Sequence, residues 1–140
     1  MKHYGFFRSS ASYRLRIGTN LKGLAVDYVP VHLSKNGGEQ HLPDFVKLNP
    51  QHLVPVLEDG GHVLTQSLAI LEYLDETHPT PPILPRDPVA RARVRALAQV
   101  VACDIHPINN LRILNYLKGP LQASEDATRS EEHTSELQSH

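Results

Sequence analysis

A serine-rich segment near the N-terminus has residue types suited to binding a small anion or a thiol. Ser9, Ser10 and Ser12 follow a short apolar run, and Arg8 and Arg14 flank them. If a helix begins here, its first N–H groups lack partners within the helix and its start carries a partial positive charge. A thiolate or a carboxylate is stabilised in such a place. Serine at a helix start is more often only a cap, so this segment alone leaves both interpretations open.

Two later segments offer related chemistry. Pro55 stands at the head of a β-branched run, where proline can be cis and can leave the backbone groups of Val54 open to a ligand. Gln66 and Ser67 open an amphipathic helix whose N-terminus offers a second carboxylate site. We expect Ser67 to be the cap of that helix.

The elements that must position these residues alternate between strands and helices. Hydrophobic periodicity predicts strands near residues 3–7, 25–31, 54–58 and 62–64, and helices near residues 10–23, 38–47 and 66–78. This β-α-β then β-β-α order is the thioredoxin arrangement. Residues 1–80 are therefore predicted to form an α/β domain.

A proline-rich linker at residues 81–88 ends this domain, because prolines cannot propagate a helix. Residues 89–128 begin with the apolar stripe of a long helix, in which Pro107 predicts a bend. The bend could aim His106, Asn110 and Arg112 at a cleft between domains. The alternative is that Pro107 only ends a helix and these polar side chains are solvated.

Length and composition restrict the class of protein. The chain has 140 residues, of which 40% are hydrophobic, so it can bury a core but is short for two full domains. A net charge of −1 gives no field that favours nucleic acid or a membrane surface. Cys103 is the only cysteine, which excludes an internal disulfide and suits a reducing cytoplasm. The nine histidines lack ligand spacing, so no metal site is expected.

These motifs, taken in order, resemble the zeta class of glutathione transferases. The similarity rests on the double serine, on Tyr13 and the Arg-x-Arg-Ile that begins at Arg14, and on the Val-Pro and Gln-Ser pairs, and it extends to about residue 120. The resemblance implies a thioredoxin-like N-terminal domain followed by the start of an all-α C-terminal domain. Zeta proteins continue with further helices, so we expect the second domain to be truncated here.

The resemblance implies glutathione as the cofactor and assigns residues to it. Ser9 and Ser10 would be catalytic, with the Ser9 hydroxyl donating to the glutathione sulfur and lowering its pKa. Val54 would pair through its backbone with the cysteinyl part of glutathione. Gln66 and Ser67 would hold the γ-glutamyl carboxylate. Gln40 would form a hydrogen bond to the peptide near the glycyl end. The remaining residues assigned to the cofactor site are Ala11, Ser12, Tyr13, Arg14, His106, Asn110, Leu111 and Arg112.

The implied reaction is the cis–trans isomerisation of maleylacetoacetate to fumarylacetoacetate in tyrosine and phenylalanine catabolism. Arg8 and Arg112 are expected to bind the small dicarboxylate substrate, while Arg14 serves the loop instead. Many zeta sequences have cysteine at the position of Ala11, so glutathione would be the only nucleophile here. Maleylpyruvate isomerase or a general glutathione transferase is one alternative, and an inactive glutathione-binding fragment is another.

The resemblance further implies a cytoplasmic homodimer for the full-length protein, with no nucleic-acid or membrane partner. Residues 129–140 do not fit the family: they are polar, lack periodicity and resemble the translation of a sequencing-adapter oligonucleotide. We expect this tail to be non-native.

Overall fold

A mixed four-stranded sheet organises the first part of the chain in the computed structural model, which describes residues 1–108 and 110–128. The strands are β1 (Lys2–Gly5), β2 (Asp27–Pro30), β3 (Val56–Asp59) and β4 (His62–Thr65), in the order β2-β1-β3-β4. β1 pairs in parallel with β2 and antiparallel with β3, and β3 pairs antiparallel with β4. The thioredoxin-like fold class is confirmed.

Three helices accompany this sheet. α1 (Ser10–Leu21) is the crossover that a parallel β1–β2 pair requires. α2 (Pro43–Leu48) is shorter than expected because Pro43 fits only the first turn of a helix, and two 3₁₀ turns precede it. α3 (Ser67–Thr77) follows β4.

The sheet has a core on each face because neighbouring residues of a strand point to opposite sides. Leu57 packs on one face with residues of α1 and α3, and Val56 packs on the other with α2 and the segment after β2. The first cluster is Leu15, Leu57, Ile70 and Leu74, and the second is Val31, Phe45 and Val56.

The C-terminal ends of α1 and α3 are joined by a buried ion pair. Lys22 Nζ lies 2.7 Å from Asp75 Oδ1 and donates to the carbonyl oxygens of His78 at 2.7 Å and Pro81 at 2.9 Å. Asp75 accepts in turn from the backbone N–H groups of Ile83 at 2.8 Å and Leu84 at 3.2 Å. The pair therefore fixes the proline-rich segment against both helix ends.

The second part of the chain is helical. The chain divides into compact units between Pro85 and Arg86, inside the segment expected as linker, and the domain boundaries expected from the sequence stay predictions. α4 (Pro88–Gln99) is capped by Asp87, whose carboxylate accepts from the N–H of Ala90 at 2.7 Å. A π-helical segment, Val100–Ile105, and α5 (Leu111–Lys118) follow.

Pro107 does not bend a continuous helix. The π-helical segment ends at Ile105, and its last bond runs from the N–H of His106 to the carbonyl of Val101 at 3.0 Å. Pro107 has no N–H to continue the series, so the alternative of a helix end describes the structure. The expected non-native tail, residues 129–140, lies outside the described residues. Among the described helices, none is long and apolar enough to cross a membrane.

Candidate functional site

The start of α1 has the geometry expected for a serine cap. Ser9 has extended backbone angles, and its Oγ accepts from the N–H of Ser12 at 3.2 Å. Its carbonyl accepts from the N–H of Tyr13 at 2.8 Å. Because Oγ acts as acceptor in the cap, the hydroxyl proton of the half-buried Ser9 remains able to donate to another group. Ser10 is the first helical residue and is exposed.

Ala11 and Ser12 lie inside the fold, not at its surface. Ala11 is buried, and Ser12 is fully buried with Oγ accepting from the N–H of Phe6 at 3.3 Å. The Ser12 side chain therefore ties the end of β1 to α1. This contact gives Ser12 a positioning function, and its assignment to the cofactor site stays a prediction.

Arg14 connects the starts of the two long helices. Its Nε donates to Oγ of Ser67 at 3.2 Å, and both side chains are at least half-buried. The structure thus brings together two residues that the sequence placed 53 positions apart. This contact agrees with the expectation that Arg14 serves the loop.

The expected cap of α3 is wrong. Gln66 is the N-cap residue, with φ 69° and no capping bond from its side chain, and Ser67 is the first residue of the helix. The Ser67 hydroxyl is used by Arg14 instead. Since no side chain caps α3, its first backbone N–H groups keep their capacity to donate to a carboxylate.

A chain of polar contacts leads from Gln66 to Gln40. Gln66 Nε2 donates to Oε1 of Gln51 at 3.2 Å, and Nδ1 of the adjacent His52 lies 3.2 Å from the carbonyl oxygen of Gln40. The same segment continues into Val54, whose peptide bond to Pro55 is cis. The sequence pattern indicates no role for Gln51, since only the fold places it beside Gln66.

Gln40 has the side-chain property expected of a ligand contact. It is buried in the 3₁₀ turn Glu39–His41, and its Nε2 donates to the carbonyl of Leu33 at 3.4 Å. Its Oε1 is buried without a hydrogen-bond partner among residues 1–108 and 110–128. Gly38 has φ 97°, and a Cβ there would approach the Gln40 amide to 2.6 Å, so only glycine fits beneath this side chain.

Two assigned residues of the first unit are exposed at the surface. Arg8 is exposed, as is Tyr13, whose ring lies 5.0 Å from the guanidinium carbon of Arg16. That cation–π contact orients the aromatic ring on the outer side of α1. Arg8 therefore stays a candidate for the substrate on position in the sequence alone.

The residues assigned from the second unit surround the start of α5. Asn110 caps this helix, accepting from the N–H groups of Arg112 at 3.0 Å and Ile113 at 3.3 Å. Its amide also donates to the carbonyl of Pro107 at 2.6 Å. Leu111 and Arg112 are exposed and His106 is half-buried. Their approach to the first unit stays a prediction.

No metal centre is apparent among the residues that the structure describes. No three His, Cys, Asp or Glu side chains lie together there in a way that could hold an ion. The assigned groups are hydroxyls, amides and guanidinium groups, which suit an anionic organic ligand.

The family model for the N-terminal domain of glutathione S-transferase matches residues 1–76. The chain belongs to the glutathione S-transferase family. Its relatives include a maleylpyruvate isomerase of a Ralstonia species, 57% identical over 91% of this chain and 59% of the relative. A probable maleylacetoacetate isomerase of Vibrio cholerae serotype O1 is 54% identical over 88% of this chain and 57% of the relative.

Two solved structures agree with this family and with the zeta class. The holo structure of a bacterial maleylpyruvate isomerase of the zeta class has a TM-score of 0.88 and 54% identity over 93% of this chain and 60% of its own. A maleylacetoacetate isomerase of Methylobacterium extorquens AM1, solved with malonate and GSH, has a TM-score of 0.92 and 45% identity, over 99% and 64%. The chain therefore spans about three fifths of the curated relatives it matches.

Proposed function

We propose that this chain binds glutathione and serves the cis–trans isomerisation of maleylacetoacetate to fumarylacetoacetate. The observation that carries the proposal is the Ser9 hydroxyl, held by the N–H of Ser12 at the positive end of α1. Two relatives named for this reaction are 54% and 45% identical to this chain over the aligned residues, which supports the same chemistry here.

The residues of this chain fit glutathione on their own chemistry. The tripeptide has one thiol, two carboxylates and two peptide groups. The chain offers a hydroxyl donor at Ser9, an uncapped helix start at Ser67, and an orphaned buried acceptor at Oε1 of Gln40. Each of these protein groups gains a hydrogen bond from a complementary group of the tripeptide.

Bound glutathione would supply a thiolate that adds to the conjugated double bond and turns it into a single bond about which rotation is fast; after rotation the C–S bond would break, which re-forms the double bond and returns the thiolate. The Ser9 hydroxyl donates a hydrogen bond to the sulfur. Ser10 lies at the exposed N-terminus of α1, which carries a partial positive charge. Both favour the thiolate over the thiol, because a hydrogen bond to the charged form and a positive helix end each lower a thiol pKa. No protein cysteine takes part, since Ala11 stands in this segment.

Other residues of the chain orient the tripeptide. Val54 pairs with it through the backbone beside Pro55, and Gln66 with Ser67 holds the γ-glutamyl carboxylate at the start of α3. Arg14 keeps Ser67 in place through its Nε contact of 3.2 Å. Ala11, Ser12 and Tyr13 form the part of the proposed glutathione site that α1 provides.

In the full-length protein, the second unit would supply one wall of the substrate site. His106, Asn110, Leu111 and Arg112 are proposed to line it, with Arg112 and Arg8 pairing with the two carboxylates of the substrate. We further propose that the full-length enzyme is a cytoplasmic homodimer.

The Ralstonia relative, at 57% identity, favours one second candidate, the isomerisation of maleylpyruvate. That reaction would use the same sulfur site with a different dicarboxylate acceptor. The acceptor distinguishes the two reactions, and the residues of the first unit act on the thiol in both.

One experiment tests these proposals together. Conversion of maleylacetoacetate and of maleylpyruvate is followed in the ultraviolet with and without glutathione, for this chain and for a version completed to the length of its relatives. We expect the completed form to convert maleylacetoacetate faster than maleylpyruvate, and to do so only with glutathione. Faster maleylpyruvate turnover would select the second candidate, and turnover without glutathione would contradict both. A completed form that binds glutathione but converts neither acid would leave a glutathione-binding fold and refute the isomerase proposal.

A further inference from the structure

The segment between β2 and α2 closes into a loop on the backbone of His32. The His32 N–H donates to the carboxylate of Glu39 at 2.6 Å, and the His32 carbonyl accepts from the N–H of Glu39 at 2.9 Å. Gln40 is the next residue along the chain, and its Nε2 donates to the carbonyl of Leu33, inside the loop, at 3.4 Å. The position of the Gln40 amide therefore depends on how this loop is held.

The imidazole of His32 holds the inside of the same loop. Its Nδ1 lies 3.1 Å from the backbone nitrogen of Lys35 and 3.3 Å from that of Ser34, and the Ser34 hydroxyl also lies 3.3 Å away. A backbone N–H can only donate, so Nδ1 accepts and carries no proton. The ring is therefore neutral in this arrangement, with its single proton on Nε2.

The same ring contacts the other half of the proposed glutathione site. It packs edge-on against Phe6, with 4.9 Å between the ring centres, and its centre lies 6.4 Å from that of Phe7. The carbonyl of Phe6 accepts from the N–H of Ser9 at 3.0 Å. His32 thus joins the turn that carries Ser9 to the loop that leads to Gln40.

We propose that neutral His32 is a positioning residue of the glutathione site and that its protonation weakens glutathione binding. This inference rests on the proposed function, because it concerns the same site. Protonation places a hydrogen on Nδ1, which turns the acceptor into a donor and sets it against the N–H groups of Ser34 and Lys35. The loop then loses the bonds that hold its interior, and Gln40 loses part of its support.

The charged groups beside the His32 ring belong to its own loop. They are Lys35, whose backbone N–H donates to Nδ1, and Glu39, whose carboxylate accepts from the His32 N–H. The side chains that contact the ring from the residues after β1 are the uncharged Phe6 and Phe7. A proton on His32 therefore acts directly on the contacts of this loop.

A second pair of histidines lies beyond Gln40. The Nδ1 atoms of His41 and His52 are 3.0 Å apart, and Nδ1 of His52 lies 3.2 Å from the carbonyl oxygen of Gln40. This pair contacts the backbone of Gln40 and not the inside of the loop. The experiment must separate its titration from that of His32.

The test is the affinity of the whole chain for S-methylglutathione, measured by calorimetric titration. The measurements run from about pH 7.5 to about pH 5.5, the range in which histidine side chains commonly titrate. The methyl group prevents ionisation at sulfur, so the effect of Ser9 on the thiol does not enter. We expect Kd to rise about tenfold as pH falls, because hydrogen bonds that fix the loop are lost.

Two variants separate the acceptor of His32 from its ring. His32→Asn places an amide oxygen near the position of Nδ1 and takes up no proton, so Kd should stay within about threefold of the wild-type value near neutral pH and become independent of pH. His32→Phe keeps the aromatic contact and removes the acceptor, so Kd should be about tenfold higher at every pH. His62→Asn is the matched control on β4, where His62 is exposed, and should keep the wild-type pH dependence.

A measurement without ligand follows the same contact. In NMR spectra of the free chain, the amide resonances of Ser34 and Lys35 should shift with the same midpoint pH as the ring resonances of His32. In His32→Asn these two amide resonances should no longer shift at that midpoint. Amide resonances that do not follow the ring in the wild-type chain would contradict the proposed contact.

The binding results can overturn the proposal in separate ways. A pH dependence that persists in His32→Asn would belong to the His41–His52 pair instead. Wild-type affinity in His32→Phe would show that the site does not need the acceptor. Binding of S-methylglutathione that is independent of pH in the wild-type chain would refute the role of His32 alone. Absence of binding at every pH would refute glutathione binding by this chain, and this inference with it.

Discussion

The two ends of the α1–α3 helix pair differ in how their polar groups are used. At the C-terminal end, Lys22 and Asp75 saturate each other and the carbonyl and N–H groups of the following segment. At the N-terminal end, Ser9 retains a donating hydroxyl and Gln66 provides no side-chain cap. One end is closed by its own protein contacts, and at the other end we propose that the open groups meet glutathione.

Under the proposed function, this difference separates stability from glutathione binding within one helix pair. Helix starts are suited to anions because their N–H groups and dipoles face outward. The last carbonyl groups of a helix need donors from outside the helix. Here the buried Lys22 contacts three acceptors, which are the Asp75 carboxylate and two backbone carbonyl groups. Substitutions at the closed end should therefore change stability, and those at the open end should change binding and turnover.

The largest expected effect comes from Lys22→Met at the closed end. It leaves Asp75 and two carbonyl groups without their partner in a place where the lysine side chain is 0% exposed, so we expect a loss of about 3–5 kcal/mol in unfolding free energy. Urea unfolding measures it. Lys47→Met is the matched control, since it breaks an exposed ion pair with Asp44. Equal midpoint shifts in the two variants would contradict the closed-end interpretation.

Ser9→Ala should have the largest effect on chemistry. Loss of one donor aimed at a developing or resting anion typically lowers turnover about a hundredfold or more, while loss of the cap costs only about 1 kcal/mol. The thiolate absorbance of bound glutathione against pH, and turnover of the completed enzyme, are the measurements. Both a raised thiol pKa and slower turnover are expected.

The control for Ser9 removes a cap of the same kind elsewhere. Asp87→Ala deletes the side chain that caps α4, a helix with no assigned site residue. It should lower stability by a similar amount and leave the thiol pKa unchanged. Near-normal turnover of Ser9→Ala would refute the role assigned to its hydroxyl.

Gln66→Ala should have a smaller effect, about a tenfold rise in the glutathione Kd, because one hydrogen bond to a charged carboxylate is lost. Calorimetric titration measures it. Gln51→Ala removes the same Gln51–Gln66 contact of 3.2 Å and keeps the Gln66 amide, so it separates ligand binding from loop support. If both variants bind alike, Gln66 acts only through its neighbour.

A further effect on the same ion pair is a loss of stability in acid that depends on Asp75. Burial alone raises the pKa of Asp75, but hydrogen bonds from Lys22 and from two backbone N–H groups outweigh it and lower the pKa below 3.8. Its contribution is therefore present above pH 3.8 and is lost as pH falls through the lowered pKa. The burial of His3 removes stability in a separate window, between pH 6.5 and about 4.

Unfolding measured against pH tests this assignment. Asp75→Asn should remove the acid dependence below pH 3.8 while the His3 window persists. An unchanged acid limb in Asp75→Asn would assign that limb to other carboxylates.

The order of elements could be read from the sequence because it depends on local pattern. Alternating apolar residues and Pro/Gly breaks set the strands, and hydroxyls before a periodic run set the start of α1. Ser9 could therefore be predicted as a cap, and Pro55 predicted that the backbone groups of Val54 are open to a ligand. The identity of the α3 cap was not, because an arginine from another helix takes the Ser67 hydroxyl.

What the sequence by itself determined is the thioredoxin-like order, the family, and the residue types offered to a thiol and a carboxylate. Only the tertiary structure decided which of those groups stay open. The Lys22–Asp75 pair and the Arg14–Ser67 contact each join residues from separate elements. Local periodicity carries no information about such pairs, because the free energy of a polar contact depends on burial and on partners that folding brings together.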